Sequence, residues 1–335
     1  RRVLFRSFHL VGLDAAGAIV MRQKLSRGQL ERRFANLPPC LIGMEACVGA
    51  HHLSRQLLAL GHEARLMPAR YVKPFLKGQK NDFRDAEAIA EAVQRPTMRY
   101  VATKSVAQLD LQALHRVRAR LVRHRTSVIN QIRALLLDRG IAVRQGYRHL
   151  RAALPNLLAQ DSDRLSPRMV AMLGDLSGDW HHLDARLAAV TDEIETIAIA
   201  DENCRRLMTV PGIGPIIASA MVAAIGDGAA FVCGRDFAAW LGLVPRQIST
   251  GDRTILGRIS KRGNTYLRTL FIRGAKIILM RPKNWPKHRF GPWLETASRR
   301  LHRNVLAVAL ANKLARIAWS VLAQDRDYEF RRLAA

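Results

Sequence analysis

The sequence predicts an α/β N-terminal domain over residues 8–103, a long helical segment over 104–200 and a mostly α C-terminal domain over 201–325, followed by a tail, 326–335. Three observations carry this. Up to residue 100, short apolar runs alternate with turn signals. From Leu111 to Leu135, apolar residues recur at spacings of three, four and seven. Beyond residue 200, glycine- and proline-marked turns separate apolar stretches of helical length.

In the first region, HLVGLD and AIVMRQKL read as alternating strands joined by Asp14-Ala15-Ala16-Gly17, a hairpin turn signal. CLIGMEA is a compact apolar run that reaches a carboxylate, Glu45. HHLSRQLLALGH has helical periodicity and stops at a glycine. HEARLMPARYV offers a further strand and a loop, and NDFRDAEAIAEAVQRP reads as a helix with polar starters, closed by Pro96. In the second region the stripe Leu111, Leu114, Val117, Leu121, Val128, Ile132 and Leu135, flanked by arginines, predicts one amphipathic helix to about Asp138. At least one more helix is expected from about Asp175 to Ile199. The stripe serves either an intramolecular core or a coiled-coil seam between subunits. The third region opens with CRRLMTVPGIGPIIASAMVAAIGD, a glycine-punctuated turn before a small-residue helix. An FAAWLGLVP helix and loop, a polar glycine-containing loop, a basic segment (Arg253 to Arg289) and a closing helix around Asn304 to Leu322 follow.

The chain carries 54 Lys+Arg against 27 Asp+Glu, a formal charge of +27, on a 49% hydrophobic composition. Such a composition excludes a disordered basic tail. A surplus this large on a folded protein points to a polyanion, nucleic acid before an anionic membrane surface. The longest apolar run, Ile213 to Ile225, is short of the ~20 residues that span a bilayer, so no membrane partner is expected. Cys40, Cys47, Cys204 and Cys233 show no C-x-x-C spacing and read as reduced, mostly buried thiols of a cytoplasmic protein. His51-His52 follows Cys47 at a metal-compatible spacing but lacks a second ligand cluster.

Three stretches could do chemistry. Asp82 and Asp85, three apart at a predicted helix start, lie on one side of its first turn. Acidic residues also favour that place as caps. Glu45, at the end of an apolar strand, tips the reading toward a divalent-metal site. Two Mg²⁺ ions roughly 3.5–4 Å apart would activate a nucleophile and stabilise a leaving oxygen on phosphorus. Gly212 and Gly214 in PGIGP either expose backbone N–H groups to a DNA phosphate or form an ordinary turn. Ser249-Thr250, before Gly251, is surrounded by Arg246, Arg253, Arg258, Lys261, Arg262 and Arg268. The hydroxyls there are either reactive or merely donors in a phosphate-contact loop.

Together GMEACVGAHH, KNDFRDAEAIAEA, VPGIGPIIA and GLVPRQ-ST-GDRTILGRISKRGNTYLRTL resemble the 110-type insertion-sequence transposases, from about Phe8 to about Leu322. The resemblance implies a RuvC-like DEDD domain of RNase H type with a mixed sheet, and a C-terminal serine transposase domain with a helix-hairpin-helix-like start. It implies that Glu45, Asp82 and Asp85 are the last three acidic ligands of a Mg²⁺ (or Mn²⁺) site. Ser249 is then the nucleophile, with Thr250 the alternative. It further implies a composite site assembled between subunits of a homo-oligomer (dimer or tetramer), DNA partners (element ends and target), and a structured guide, or bridge, RNA. Such a protein is cytoplasmic and nucleoid-associated in a bacterium. Two other readings stay open: a RuvC-like structure-selective endonuclease, and a non-catalytic nucleic-acid-binding protein.

The N-terminus departs from this pattern. The resemblance puts the first Asp about a dozen residues before Asp14, in a strand of G-[IV]-D type. Counting back reaches Arg2, inside RRVLFRS, which holds no acidic residue. RRVLFRS is also the translation of AGA CGT GTG CTC TTC CGA TCT, a string matching a common short-read sequencing adapter. Residues 1–7 are therefore expected to be a non-native artefact, and the chain as written to lack the first strand and one metal ligand, which would leave metal binding weak and chemistry impaired. Asp14, in the hairpin turn, is no substitute.

Overall fold

The computed structural model describes residues 7–79, 81–160 and 164–329. Arg1–Arg6 thus lie outside the described residues, whereas Ser7 opens a strand and pairs with Ser26. Two compact units divide after Val106.

In the first unit, β1 (Ser7–Leu13) and β2 (Ile19–Ser26) form an antiparallel hairpin. Its turn is built as the sequence predicts. Asp14 Oδ1 accepts from the N–H groups of Ala16 and Ala18 at 3.0 and 2.8 Å, and Gly17 takes φ +84°. Then come α1 (Arg27–Ala35), β3 (Leu41–Glu45), α2 (Ala50–Ala59), β4 (Glu63–Met67) and the single turn α3 (Ala69–Val72). Strands β3 and β4 run parallel, as a crossover helix requires. Helix α4 (Asp82–Val93) begins where Asn81 Oδ1 accepts from Phe83 N–H at 2.9 Å, and it stops short of Pro96. The described strands of this unit make two separate two-stranded sheets rather than one mixed sheet. Two small cores serve it. One gathers Leu30, Phe34 and Leu57 with Phe8, Leu10, Ile42 and Met44; the other gathers Met67, Val72, Ala88, Ala92 and Val93.

The second unit is helical: α5 (Val106–Leu137), α6 (Tyr147–Gln160), α7 (Pro167–Ala200), α8 (Glu202–Met208), α9 (Pro215–Ile225) and α10 (Gly234–Trp240). An antiparallel ribbon of β5 (Pro245–Thr250) and β6 (Arg253–Ile259) interrupts the series, and α11 (Thr265–Leu279), α12 (Gly291–Arg300) and α13 (Arg303–Ala323) complete it. Helix α5 matches the prediction within a few residues, but its buried face differs. That face carries Leu111, His115, Leu121, Ile129, Ile132 and Leu136, while Leu114, Val117, Val128 and Leu135 are half-buried. Polar residues were the missing part of the stripe: Arg118 Nε donates to Thr191 Oγ1 at 2.9 Å, and Arg125 pairs with Asp184 at 3.1 Å.

Three further expectations are corrected. Helix α7 starts at Pro167, before Asp175, because Ser166 Oγ caps it and Pro167 fits its first turn. The polar loop around Ser249 is the β5–β6 ribbon. Helix α13 is, among the described residues, the one helix long and apolar enough to cross a bilayer. Here its Leu306, Leu310, Leu314 and Ala318 lie in the C-terminal core with Phe237, Leu267 and Phe271. The thiols also differ from expectation, since Cys40 and Cys47 are exposed, Cys204 is buried and Cys233 is intermediate.

Candidate active site

Helix α4 packs on both β1 and β3, which brings its first turn to the end of β3. Glu45, the last residue of β3, is half-buried. Burial raises its carboxyl above the ordinary value, and the charge of Asp85 raises it further. Strand and helix therefore bring Glu45 and Asp85 together. Asp82 stands one turn back, largely exposed, with Oδ2 3.5 Å from His9 Nδ1. Among the described residues, no three His, Cys, Asp or Glu side chains lie close enough to hold an ion. Two hard carboxylate oxygens that repel one another still fit a divalent cation, which would relieve that repulsion. Cys47 is beside them: although the residue is exposed overall, partial desolvation of its thiol and then the charge of Glu45 push it up, so it stays protonated. His51 Nδ1 accepts from Lys104 N–H at 3.2 Å and serves the fold rather than a metal.

Ser249 and Thr250 lie on β5, where every residue is exposed. Neighbouring residues on a strand point to opposite faces. Ser249 shares its face with Thr254, its cross-strand partner, while Thr250 shares the other with Arg253. The two hydroxyls therefore cannot serve one site interchangeably. Ser249 Oγ accepts from Gln247 Nε2 at 2.8 Å and lies 3.4 Å from Thr254 Oγ1. Gly251 turns the ribbon at φ +55°. Arg246, Arg253, Arg258, Lys261 and Arg262 are all exposed around it. The base of the ribbon is fixed. Ser260 N–H donates to Val244 O at 2.8 Å, and a Cβ on Gly242 would lie 2.2 Å from Arg262 O. Lys261 itself takes φ +53° there.

Arg268 departs from the sequence expectation of a nucleic-acid contact. It is 8% exposed and donates to Leu241 O, Arg262 O and Thr265 Oγ1 at 2.8, 3.0 and 3.0 Å. It ties the ribbon's base to α11. Gly212 also has a packing reason: at φ +80°, a Cβ would meet Ile278 at 2.7 Å. Gly214 caps α9, with open space beside it.

Residues 204–290 match the transposase family IS116/IS110/IS902, and residues 6–139 match a DEDD-type transposase of the IS110 group. The chain is 47% identical over 322 residues to a Pseudomonas aeruginosa protein named "Probable family 20 transposase", covering 96% of this chain and 95% of that one. It is 41% identical to the transposase for insertion sequence element IS1328 of Yersinia enterocolitica, over 95% of this chain and 94% of the relative. To the IS1111A transposase of Coxiella burnetii it is 39% identical, over 96% and 88%. The chain belongs to the IS110 family of insertion-sequence transposases. As such it is a DNA-cleaving and recombining enzyme, and its acidic end lies within the DEDD-type match. DEDD-type transposase domains typically use a divalent metal ion. Sequence reasoning missed two features of this transposase's surroundings: Cys47 beside Glu45, and the ribbon that presents Ser249. For the second, Gln247-Ile248-Ser249 alternates but Thr254-Ile255-Leu256 does not, so the sequence holds only half the strand signal.

Proposed function

We propose that this IS110-family transposase cuts and rejoins DNA with Ser249 as nucleophile, aided by Mg²⁺ (or Mn²⁺). Its substrates are the element's ends and its target. The proposal includes a bacterial cytoplasmic, nucleoid-associated setting, a homo-oligomer and a structured guide RNA. The observation that carries it is the placement of Ser249: an exposed hydroxyl on an arginine-flanked ribbon anchored at its base. Ser249 Oγ attacks phosphorus; the Oγ–P bond forms as the P–O bond to the leaving deoxyribose oxygen breaks, and the serine proton ends on that oxygen. Arg246, Arg253 and Arg258 hold the flanking phosphates and offset charge that develops there. Glu45 and Asp85, with Asp82 adjoining, would hold the cation, which supplies Lewis-acid charge at the scissile phosphate when bound.

One observation favours a second reading, a RuvC-like endonuclease in which Ser249 only contacts phosphate. Among the described residues, no histidine or carboxylate is hydrogen-bonded to Ser249 Oγ. Labelled element-end DNA and a denaturing gel separate the two. The serine mechanism requires a covalent protein–DNA adduct that Ser249→Ala loses together with strand cleavage, while Thr250→Ala keeps both. Cleavage that survives in Ser249→Ala favours the endonuclease.

A further inference from the structure

The β5–β6 ribbon has two unlike faces. Alternation and register put Gln247, Ser249, Thr254 and Leu256 on one, and Arg246, Ile248, Thr250, Arg253, Ile255 and Gly257 on the other. On this second face the residues stand in rows about 7 Å apart. Thr250 and Arg253 form the row beside the turn, and Ile248 and Ile255 the middle one. Arg246 and Gly257 form the row nearest the base, where a Cβ on Gly257 would lie 3.8 Å from that of Arg246. The middle row is apolar and open to water: Ile248 is 61% exposed and Ile255 45%. Pairing across the ribbon accounts for two β-branched residues there. It does not cover them.

Gly257 is a second, independent sign. The register shifts beside it, yet its φ is not positive, and a Cβ there would make only ordinary contacts, at 3.7 and 3.8 Å, both with Arg246. The fold therefore does not require glycine at this place, and glycine weakens a strand. On an exposed face it marks the close approach of another molecule. The chemistry of that molecule follows from the rows. Arg253 and Arg246 bound the apolar row on either side, about 14 Å from one row to the other. Over 245–259 one carboxylate, Asp252, stands against three arginines. The fitting partner is a polyanion with an apolar edge between two lines of phosphate. The major groove of duplex DNA is about 12 Å wide, admits a two-stranded ribbon and displays thymine methyl groups between its phosphate walls. Duplex RNA has a deep, narrow major groove and uracil in place of thymine. A single strand calls for aromatic platforms, and residues 245–259 hold no aromatic side chain. A second copy of the chain would set like charges against each other.

We infer that this face is a major-groove contact: Ile248 and Ile255 lie against thymine methyl groups of duplex DNA, and Arg246 and Arg253 hold the phosphates on the two sides of the groove. Gly257 lets the ribbon's backbone come close to the phosphate wall. Ser249 is on the other face, near the turn, so its hydroxyl stays free. The inference rests on DNA as the substrate and not on the serine chemistry proposed above.

The test is fluorescence anisotropy with the full chain and no metal. One labelled duplex is made of adenine–thymine pairs; a second has deoxyuridine for thymine, which removes only the methyl groups. The parent chain should bind the thymine duplex about fourfold more tightly or better, the worth of one buried methyl. Ile248→Thr with Ile255→Thr keeps β-branched residues in the ribbon and should abolish that preference, with circular dichroism and salt dependence retained. Gly257→Val should weaken binding to both duplexes, because its side chain has room within the protein and none against DNA. Equal affinity of the parent chain for the two duplexes overturns the inference, as does a preference that survives in the threonine variant. A duplex RNA that the parent binds as tightly as thymine DNA, and the threonine variant binds less, would give the face to RNA and overturn it too. So would a threonine variant that keeps the preference but sediments as a smaller species, which would give the face to a second copy. Strand cleavage enters none of these measurements. Failure of the serine mechanism therefore leaves the methyl preference standing, and loss of the preference leaves the serine mechanism standing.

Discussion

Two polar sites, one in each unit, are handled in opposite ways. In the C-terminal unit, His115 of α5 is buried with both ring nitrogens occupied, Nδ1 by Tyr266 Oη and Nε2 by Ser219 Oγ, each at 3.1 Å. Ser219 Oγ donates to Pro215 O at 2.6 Å, so it accepts from Nε2–H, and Tyr266 donates to Nδ1. Arg268 is likewise buried and bonded three times. In the N-terminal unit, Glu45 and Asp85 are held side by side in a half-buried place, where burial and then the charge of Asp85 penalise the ionised Glu45. A satisfied polar interior fixes a fold; an unrelieved like-charge pair at the rim of a cavity is where a ligand is expected.

Removing Arg268 strikes the satisfied side hardest. Arg268→Ala leaves the carbonyls of Leu241 and Arg262 without their donor, and we expect a loss on the order of 4 kcal/mol of stability. Arg268→Lys should recover little, because one ammonium cannot reproduce the guanidinium fork. Chemical denaturation followed by circular dichroism reads both; a loss under about 0.5 kcal/mol would show that these bonds do not hold the ribbon's base.

Acid should then separate the units by sign. Burial, with the nearby Arg118 charge, pushes His115 down to about 4 from an ordinary value of 6.5. Below 6.5 the unfolded chain takes up a proton that the folded chain refuses, so this contribution to stability is present above that pH and is lost as pH falls toward 4. The full loss is about 3 kcal/mol, at about 1.4 kcal/mol for each pH unit. His115→Gln should flatten the slope between these values. Glu45 acts the other way. Its folded value is raised, so its ionisation costs stability, and acidification through the carboxylate range relieves that cost. Glu45→Gln should raise the Tm of the N-terminal unit at neutral pH, and Mg²⁺ should raise the Tm of the parent chain but not of this variant. Equal Mg²⁺ responses would remove Glu45 from the metal site.

The same contrast explains what the sequence could reveal. The Asp14 turn, the α4 cap and the extent of α5 follow from local chemistry, and they appear where the spacing places them. Glu45 was legible because a carboxylate ending an apolar strand breaks the local pattern, and Asp82 and Asp85 because helix spacing sets them together. Helix α6, with Pro155 inside it, was legible only as part of a helical stretch and not as an element with ends, and the ribbon was not legible, since neither carries a clean period. Nor was the fate of Arg268. It stands in a run of exposed cations and resembles them by composition. Only the fold of 241–268 brings two backbone carbonyls to its guanidinium.

Arg253 offers the converse case, with the smallest expected effect on stability. It is exposed beside the ribbon's turn, opposite Thr250, in the same basic segment as Arg268. Arg253→Ala should change unfolding free energy by no more than about 0.5 kcal/mol. Its effect should fall on DNA instead. Taking one phosphate-binding cation off the ribbon weakens binding about equally for all sequences and lowers the slope of log affinity against log salt by about 1. Fluorescence anisotropy across a salt series measures that slope for the parent chain, Arg253→Ala and Arg268→Lys. A slope unchanged in Arg253→Ala but lowered in Arg268→Lys would reverse the assignment of the two arginines. It would also mean that burial in this unit does not withhold a cation from nucleic acid.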